Sequence, residues 1–281
     1  MRPGQASQTA VMVCMARALA HGRTSVAAFQ DPVALALLPE EARVRVERAR
    51  AGVPPSGRRE TLDRQFMETR AHMMVARTVE IDEAIRCAEA PQLVILGAGL
   101  DGRAWRMPEL ENRVVFEVDH PDSQRDKRLR LAGLKATATQ VHFVEVNFGT
   151  DDLDARLQEA GHDPTRPTAW IWEGVVMYLT AAEIEATLAV VQARSTPTSL
   201  LVVAYFQPAV LLWLVRLFLA RVGEPLRSTH TPAQMQALLG RFGFKVQRDV
   251  DLTQVAQELA LGEPRAMRRV RHLRIVTAER T

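Results

Sequence analysis

From residue 91 onward the chain is punctuated by short apolar runs that stop at turn residues, and their spacing restricts the fold more than any other feature. Leu93-Val94-Ile95-Leu96 ends at Gly97, and Val114-Val115-Phe116-Glu117-Val118 ends at Asp119. Residues 141–146, Ala169-Trp170-Ile171-Trp172 and residues 200–206 follow, each reading as a strand. Between them lie helix-length segments at 123–134, 153–160, 181–193 and 232–242. Strands alternating with helices imply an α/β fold, a parallel sheet covered on both faces. At the end, residues 245–250 and 273–278 read as strands with a mostly helical connection, so a final antiparallel strand is expected.

The first 90 residues have a different texture and read as helical throughout. Residues 10–20 and 32–38 are short apolar segments, 40–50 a charged helix, and Gly52-Val53-Pro54-Pro55-Ser56-Gly57 a loop. Residues 61–90 read as one long helix whose apolar face carries Leu62, Phe66, Met73, Val75, Val79, Ile81 and Ile85. The expected organisation is a helical cover, residues 1–90, belonging to the same domain as a core at 91–281. There is no internal repeat and no low-complexity segment.

Composition narrows the setting. The chain has 281 residues, 47% hydrophobic and 25% charged, which is ordinary for a globular protein. Two cysteines, Cys14 and Cys87, exclude a disulfide framework and a cysteine-rich zinc site, and point to a reducing cytoplasm. The net charge is only +3, although 33 of the 36 basic residues are arginine. Arg265, Arg268, Arg269, Arg271 and Arg274 lack interleaved aromatics and read as a solvated face, with no nucleic acid as partner. Residues 1–9 are polar and lack the apolar stretch of a signal peptide. The apolar stretch 200–222 is broken by Gln207-Pro208 and carries Arg216, so it reads as a strand, a turn and an apolar helix without spanning a membrane. Contact of the 209–220 helix with a membrane surface is a lesser reading.

The chemistry starts at the first strand's end. Gly97, Gly99 and Gly102 form a loop that lets a ligand approach the backbone beyond the carboxyl ends of the strands. Two cofactors compete for it. A dinucleotide presents a pyrophosphate, which Asp101 in the loop would repel; S-adenosylmethionine presents an ammonium and a carboxylate, which the mixed charge of Asp101 and Arg103 suits. Asp119, 20 residues beyond Gly99, can accept both ribose hydroxyls of either cofactor, and alternation puts Glu117 on the same face. One of this pair could instead cap the following helix.

These residues together resemble the leucine carboxyl methyltransferase-like family of class I S-adenosylmethionine-dependent methyltransferases. The likeness rests on Val94-Ile95-Leu96-Gly97-Ala98-Gly99-Leu100-Asp101 with Arg103 and Arg106, and on Phe116-Glu117-Val118-Asp119-His120-Pro121. It extends to the run from Trp170 through Glu173 and Tyr178 to Leu179, and to Ala76-Arg77-Thr78 with Ile81-Asp82. In order, these motifs cover roughly residues 20 to 250. The resemblance implies a Rossmann-like, seven-stranded sheet whose last strand is antiparallel, with an added helical N-terminal cover. It implies that Arg77 pairs with the cofactor's methionine carboxylate, a task suited to a bidentate guanidinium. Gly97 and Gly99 would line the methionine and ribose, Asp119 hold the ribose hydroxyls, and Glu173 meet the amino group or sulfonium region. Where the family usually has Asp and a hydrophobic residue after the third strand, this chain has Asn147-Phe148. Asn147 can still accept from the adenine amino group, and Phe148 can flank the ring.

Methyl transfer needs an in-line acceptor, and only a hydroxyl acceptor benefits from a base. Tyr178 matches a family tyrosine near the acceptor and is the candidate catalytic residue. Arg23 and Arg70 in the cover are candidates for an acidic acceptor, and Trp213 for a hydrophobic wall. The seven histidines show no metal spacing, so no metal is expected; His230 reads as a surface residue and His120 as a neighbour of the ribose. The reading is a cytoplasmic S-adenosylmethionine-dependent O-methyltransferase acting on a carboxylate or hydroxyl of a small-molecule acceptor, such as a secondary metabolite. Methylation of a phosphatase tail has little support, because no particular protein partner is identified. The alternatives are an NAD(P)-dependent oxidoreductase, for which no Ser/Tyr/Lys constellation exists, and a non-catalytic cofactor-binding protein.

Overall fold

The structure is a computed structural model that describes residues 7–148, 150–209, 225–261 and 272–281. Its strands are β1 (Gln92–Leu96), β2 (Val114–Asp119), β3 (Gln140–Glu145), β4 (Thr168–Trp172), β5 (Leu200–Phe206), β6 (Phe244–Asp251) and β7 (Leu273–Arg280). They form one seven-stranded sheet in the order β3-β2-β1-β4-β5-β7-β6. Pairings among β1 to β5 are parallel, whereas β7 lies antiparallel between β5 and β6. The chain steps outward from β1 to β3 and then returns to β4, so a topological switch falls between β1 and β4. An open α/β sheet forms its ligand crevice beyond the carboxyl ends at such a point. The register sets Leu96 beside both Val118 and Trp172, which brings Gly97, Asp119 and Glu173 to one edge.

The helices are α1 (Gln8–Ala20), α2 (Glu40–Arg50), α3 (Arg58–Cys87), α4 (Arg103–Arg106), α5 (Pro121–Arg130), α6 (Leu153–Glu159), α7 (Ala181–Ala193), α8 (Pro232–Arg241) and α9 (Leu252–Glu258). Strand alternation divides the core between two faces. Leu93, Ile95, Val115, Ile171 and Ile275 pack with Leu19 of α1, Val75 and Ile85 of α3 and Leu252 of α9. Val94, Leu96, Phe116, Trp170 and Val203 pack with Leu157 of α6, Leu188 of α7 and Leu239 of α8. Thr180 with Glu183 and Thr231 with Gln234 close capping boxes at the starts of α7 and α8.

Residues 32–38 form turns rather than the expected helical segment. Pro32 and Pro39 leave only six residues between them, too few to repay nucleation. The Cys14 thiol also donates to the Ala34 carbonyl at 3.1 Å, fixing the turn against α1. The long helix runs three residues earlier at each end than the apolar pattern suggests. Its end at Cys87 leaves Ala88 extended ahead of Pro91.

Among the described residues no helix is long and apolar enough to cross a membrane. The apolar segment 210–220 with Trp213, and Arg265, Arg268, Arg269 and Arg271 of the basic tail, lie outside the described residues. Arg274 is not part of a solvated face: it sits on β7 and bonds Asp249 at 2.8 Å.

At the amino edge of the sheet, His162 is buried, with Nε2 3.1 Å from Thr168 Oγ1 and its ring edge-on to Phe116. Burial, then Arg194, lowers its pKa to about 4 from an ordinary 6.5. Between those values the unfolded chain binds the proton and the folded chain does not. Stability from this group is therefore complete above 6.5 and lost as pH falls, by about 2 kcal/mol at pH ~5. Glu117 slopes oppositely, because burial raises its carboxyl to about 7 against the pull of Lys127. The test is thus a difference: in urea titrations His162→Gln should lose less stability than the parent between pH ~7.5 and ~5. Equal losses would remove His162 from the account.

Candidate active site

Gly97, at the carboxyl end of β1, has φ 73°, and a Cβ there would lie 2.1 Å from Val175 Cγ2 in the loop after β4. Only glycine lets the two loops meet so closely. Gly99, with φ 46°, lies beneath the first turn of α1, where a Cβ would come 3.1 Å from the Ala10 methyl. The amide of Gly99 donates to Asp119, whose other carboxylate oxygen accepts from His120 N at 2.6 Å. Asp119, at the end of β2, is thus oriented by two backbone amides. Burial raises its carboxyl above the ordinary range, opposed by those two amides. His120, not either acid, caps α5, accepting from Asp122 N. Glu117 shares the face of Asp119 but is fully buried and spent on Lys127 Nζ at 2.6 Å, beneath the Trp105 ring.

Glu173, just past β4, is held from two sides. Its Oε1 lies 2.7 Å from Arg77 Nε of α3, and its Oε2 2.9 Å from an Arg103 nitrogen of α4. The side chains of Glu173 and Arg77 are 11% and 8% exposed, so the pair is shielded but borders the surface. Burial raises the Glu173 carboxyl, but Arg77 and Arg103 outweigh it and hold it below its ordinary range. A buried carboxylate and a buried guanidinium are each costly alone, and together nearly cancel.

Behind this pair runs a buried chain of alternating charge. Arg103 bonds Asp101, Glu173 and Asp82, the last at 2.8 Å. Arg106 holds Asp82 at 2.7 Å and approaches Asp31, which pairs with Arg17 of α1 at 2.9 Å. Arg17 also donates to the Leu100 carbonyl. The sequence placed Asp101 and Arg103 toward a ligand; in the structure their side chains instead turn inward, 6% and 1% exposed. Arg77 and Glu173, 8% and 11% exposed, are the opposite charges of this network that reach nearest the surface. Sequence reasoning gave Arg17 and Asp31 no part, and placed Asp82 and Arg106 in the motifs of the resemblance without a role. The available signals were charged residues within apolar helical stretches, Arg17 in α1 and Asp82 between Ile81 and Ile85, each of which needs a partner when buried.

The remaining candidates divide. Tyr178 ends a short 3₁₀ turn, Val176–Tyr178, which is tied to the residues before α8 by Arg227 N donating to the Met177 carbonyl at 2.7 Å. Arg70 lies two turns before Arg77 on α3, its guanidinium 4.2 Å over the Phe66 ring and 3.3 Å from Met12 Sδ. Burial lowers its pKa to about 10, which Tyr178 opposes and Arg77 reinforces, so it stays charged at neutral pH. Asn147 and Phe148 follow β3 beside Asp119, whose carbonyl accepts from Val146 N at 2.9 Å; Asn147 is exposed and Phe148 half-buried. Arg23 is not brought to this cluster. It is exposed beyond the far end of α1 from Ala10, and donates to the Ala49 carbonyl at the end of α2. His230 lines a separate hollow of about 400 Å³ between α7 and α8, with Ala181, Gln234 and Arg241.

The donor set fits a zwitterion joined to a ribose. Arg77 offers a carboxylate partner, Glu173 an ammonium partner, and Asp119 a preoriented acceptor for two hydroxyls. A pyrophosphate would meet Asp119 and Glu173 in the same crevice.

Solved structures of low identity share this fold. A DUF574 family protein from Streptomyces avermitilis aligns over 98% of each chain at a TM-score of 0.61 and 13% identity. Magnesium protoporphyrin IX methyltransferase from Synechocystis, with bound S-adenosylhomocysteine, aligns over 76% of this chain and 88% of its own at 0.50 and 14%. A relative from Mycobacterium sp. strain JLS is 34% identical over 72% of this chain, and one from Mycolicibacterium gilvum 40% identical over 47%. Both are named as S-adenosyl-L-methionine-dependent methyltransferases. The matched stretches span 66% and 44% of those relatives, under two thirds of each. The sequence model of the leucine carboxyl methyltransferase family matches residues 10–192, which takes in α1, α3, the glycine loop, Asp119, Glu173 and Tyr178, and the chain belongs to that family.

Proposed function

We propose that this chain transfers a methyl group from S-adenosylmethionine to a carboxylate or hydroxyl oxygen of a small-molecule acceptor in the cytoplasm. The observation that carries the reading is the Arg77–Glu173 pair at the carboxyl edge of β4, opposite charges placed together where an amino-acid head can exchange with them. The cofactor supplies an electrophilic methyl on a sulfonium. Arg77 holds the methionine carboxylate and Glu173 the ammonium, while Gly97 and Gly99 let the backbone approach. Asp119 accepts the ribose hydroxyls, Asn147 accepts from the adenine amino group, and Phe148 flanks the ring. Tyr178 orients the acceptor oxygen by hydrogen bonding, and Arg70 draws an acidic acceptor to the neighbouring surface. Catalysis then consists mainly of alignment, with a base needed only for a hydroxyl acceptor.

The test is transfer of labelled methyl to a panel of carboxylic acids, phenols and alcohols. A product labile to mild base is an ester, and a stable one an ether. Tyr178→Phe should lower kcat about tenfold, or ~1.4 kcal/mol, with S-adenosylhomocysteine affinity unchanged. Arg70→Gln should raise KM for acidic acceptors and leave neutral ones alone. Tight S-adenosylhomocysteine binding without transfer to any acceptor would favour the non-catalytic reading.

A further inference from the structure

We propose that Arg103 is a positioning residue for the cofactor: it keeps Glu173 fixed and ionised while Arg77 exchanges Glu173 for the methionine carboxylate. The inference rests on the reading of Arg77 and Glu173 given above. Glu173 is held by two cations on opposite oxygens, Arg77 on Oε1 and Arg103 on Oε2. If Arg77 turns to the cofactor, Oε1 is freed for the ammonium and Oε2 keeps Arg103. Arg103 is itself immobile. Its side chain is 1% exposed, its Nε bonds Asp82 at 2.8 Å, and its backbone amide donates to Asp101 at 2.7 Å. Asp82 is anchored in turn by Arg106, and Asp101 grips Arg103 twice, at its backbone amide and at its guanidinium. One fork therefore ties the loop after β1, helix α3 and the loop after β4 into a single arrangement. A planar guanidinium can bridge three carboxylates in this way, and a lysine ammonium on a flexible stem cannot reproduce the fork.

Glu173 is faced by Arg77 from α3, Arg103 from α4, Arg17 from α1 and, opposing them, Asp101 from the glycine loop. With Arg103 gone and Arg77 turned away, the balance holding Glu173 ionised shifts toward protonation. Binding of the cofactor head then becomes sensitive to acid.

The experiment is calorimetric titration of S-adenosylhomocysteine between pH ~5.5 and ~8 on the parent, Arg103→Gln, Arg103→Lys, Glu173→Gln and the double variant Arg103→Gln/Glu173→Gln. The parent should bind with nearly constant affinity across this range. Arg103→Gln should weaken binding about tenfold near neutrality, and more at the acid end. Arg103→Lys keeps the charge without the fork and should lose several-fold with a flat profile, which keeps the test available if Arg103→Gln does not fold. In the double variant the loss of Arg103 should add nothing to the loss of Glu173, an outcome that a purely structural role would not give. Glu173→Gln binding as tightly as the parent would overturn the site reading and this inference with it. A weakened Glu173→Gln beside parental affinity and pH profile in the Arg103 variants would overturn the positioning role alone. So would additive losses in the double variant.

Discussion

Asp82→Ala is expected to destabilise the fold by about 3–5 kcal/mol, the largest effect of any single side-chain truncation considered. Asp82 is fully buried in α3 and receives Arg103 at 2.8 Å and two Arg106 nitrogens at 2.7 and 2.9 Å. Removing it leaves two guanidiniums, 1% and 4% exposed, short of a counter-charge in a site that water does not reach. Breaking such a pair by deleting one partner costs far more than the pair contributes over an apolar replacement. For a chain of this length the loss corresponds to a fall in Tm of about 10 °C. Asp82→Asn keeps an acceptor and should fall between the two. Glu40→Ala is the contrasting control: that side chain is 70% exposed in its pair with Arg43, and its removal should change stability by less than ~0.5 kcal/mol. Thermal denaturation of the three variants settles the comparison; equal Tm values for Asp82→Ala and Glu40→Ala would show the buried chain of charge to be energetically idle.

Asp119→Ala is expected to weaken S-adenosylhomocysteine binding about 10- to 100-fold, or ~1.4–2.7 kcal/mol. Two losses combine. The ribose hydroxyls lose a charged acceptor, and such hydrogen bonds are the stronger ones. Gly99 N and His120 N also lose the carboxylate that holds the glycine loop against the end of β2. Arg77→Ala should act in the same assay at the other end of the crevice, weakening binding about tenfold. The two sites share no bond among those described, so their losses should add to within ~0.5 kcal/mol. Parental affinity in both variants would remove the site assignment.

The first five strands were legible as short runs rich in apolar residues; β5 and α7 match their expected limits, β3 is shifted one residue earlier, and the other strands gain a residue or two at their ends. The antiparallel last strand was legible too, from its place after a helical connection, though not its insertion between β5 and β6. What the sequence could not convey is pairing across distance. Arg17 meets Asp31, Arg103 meets Glu173, and Arg77 meets Glu173 across 14, 70 and 96 positions of sequence, and no local pattern links them. For the same reason Asp101 looked like a loop charge open to a ligand. Its inward turn depends on Arg103 two residues later and on Arg17 from α1. The 32–38 segment misled for a local reason: apolar composition outweighed two bounding prolines in the reading, whereas the chain obeys the prolines. Arg77 by itself reads as a surface residue of a long helix. The family motif singles it out, and the Glu173 carboxylate 2.7 Å away gives that choice a physical basis.

Belonging to the leucine carboxyl methyltransferase family sets aside the nicotinamide reading of the glycine loop. The charges facing the crevice agree, since Asp119 and Glu173 would oppose a pyrophosphate. Parallel calorimetric titrations of the parent protein with S-adenosylhomocysteine and with NAD test this most directly. The account predicts one-to-one saturation by S-adenosylhomocysteine and no heat from NAD. Saturable binding of NAD, or no binding of S-adenosylhomocysteine to a folded protein, would contradict it.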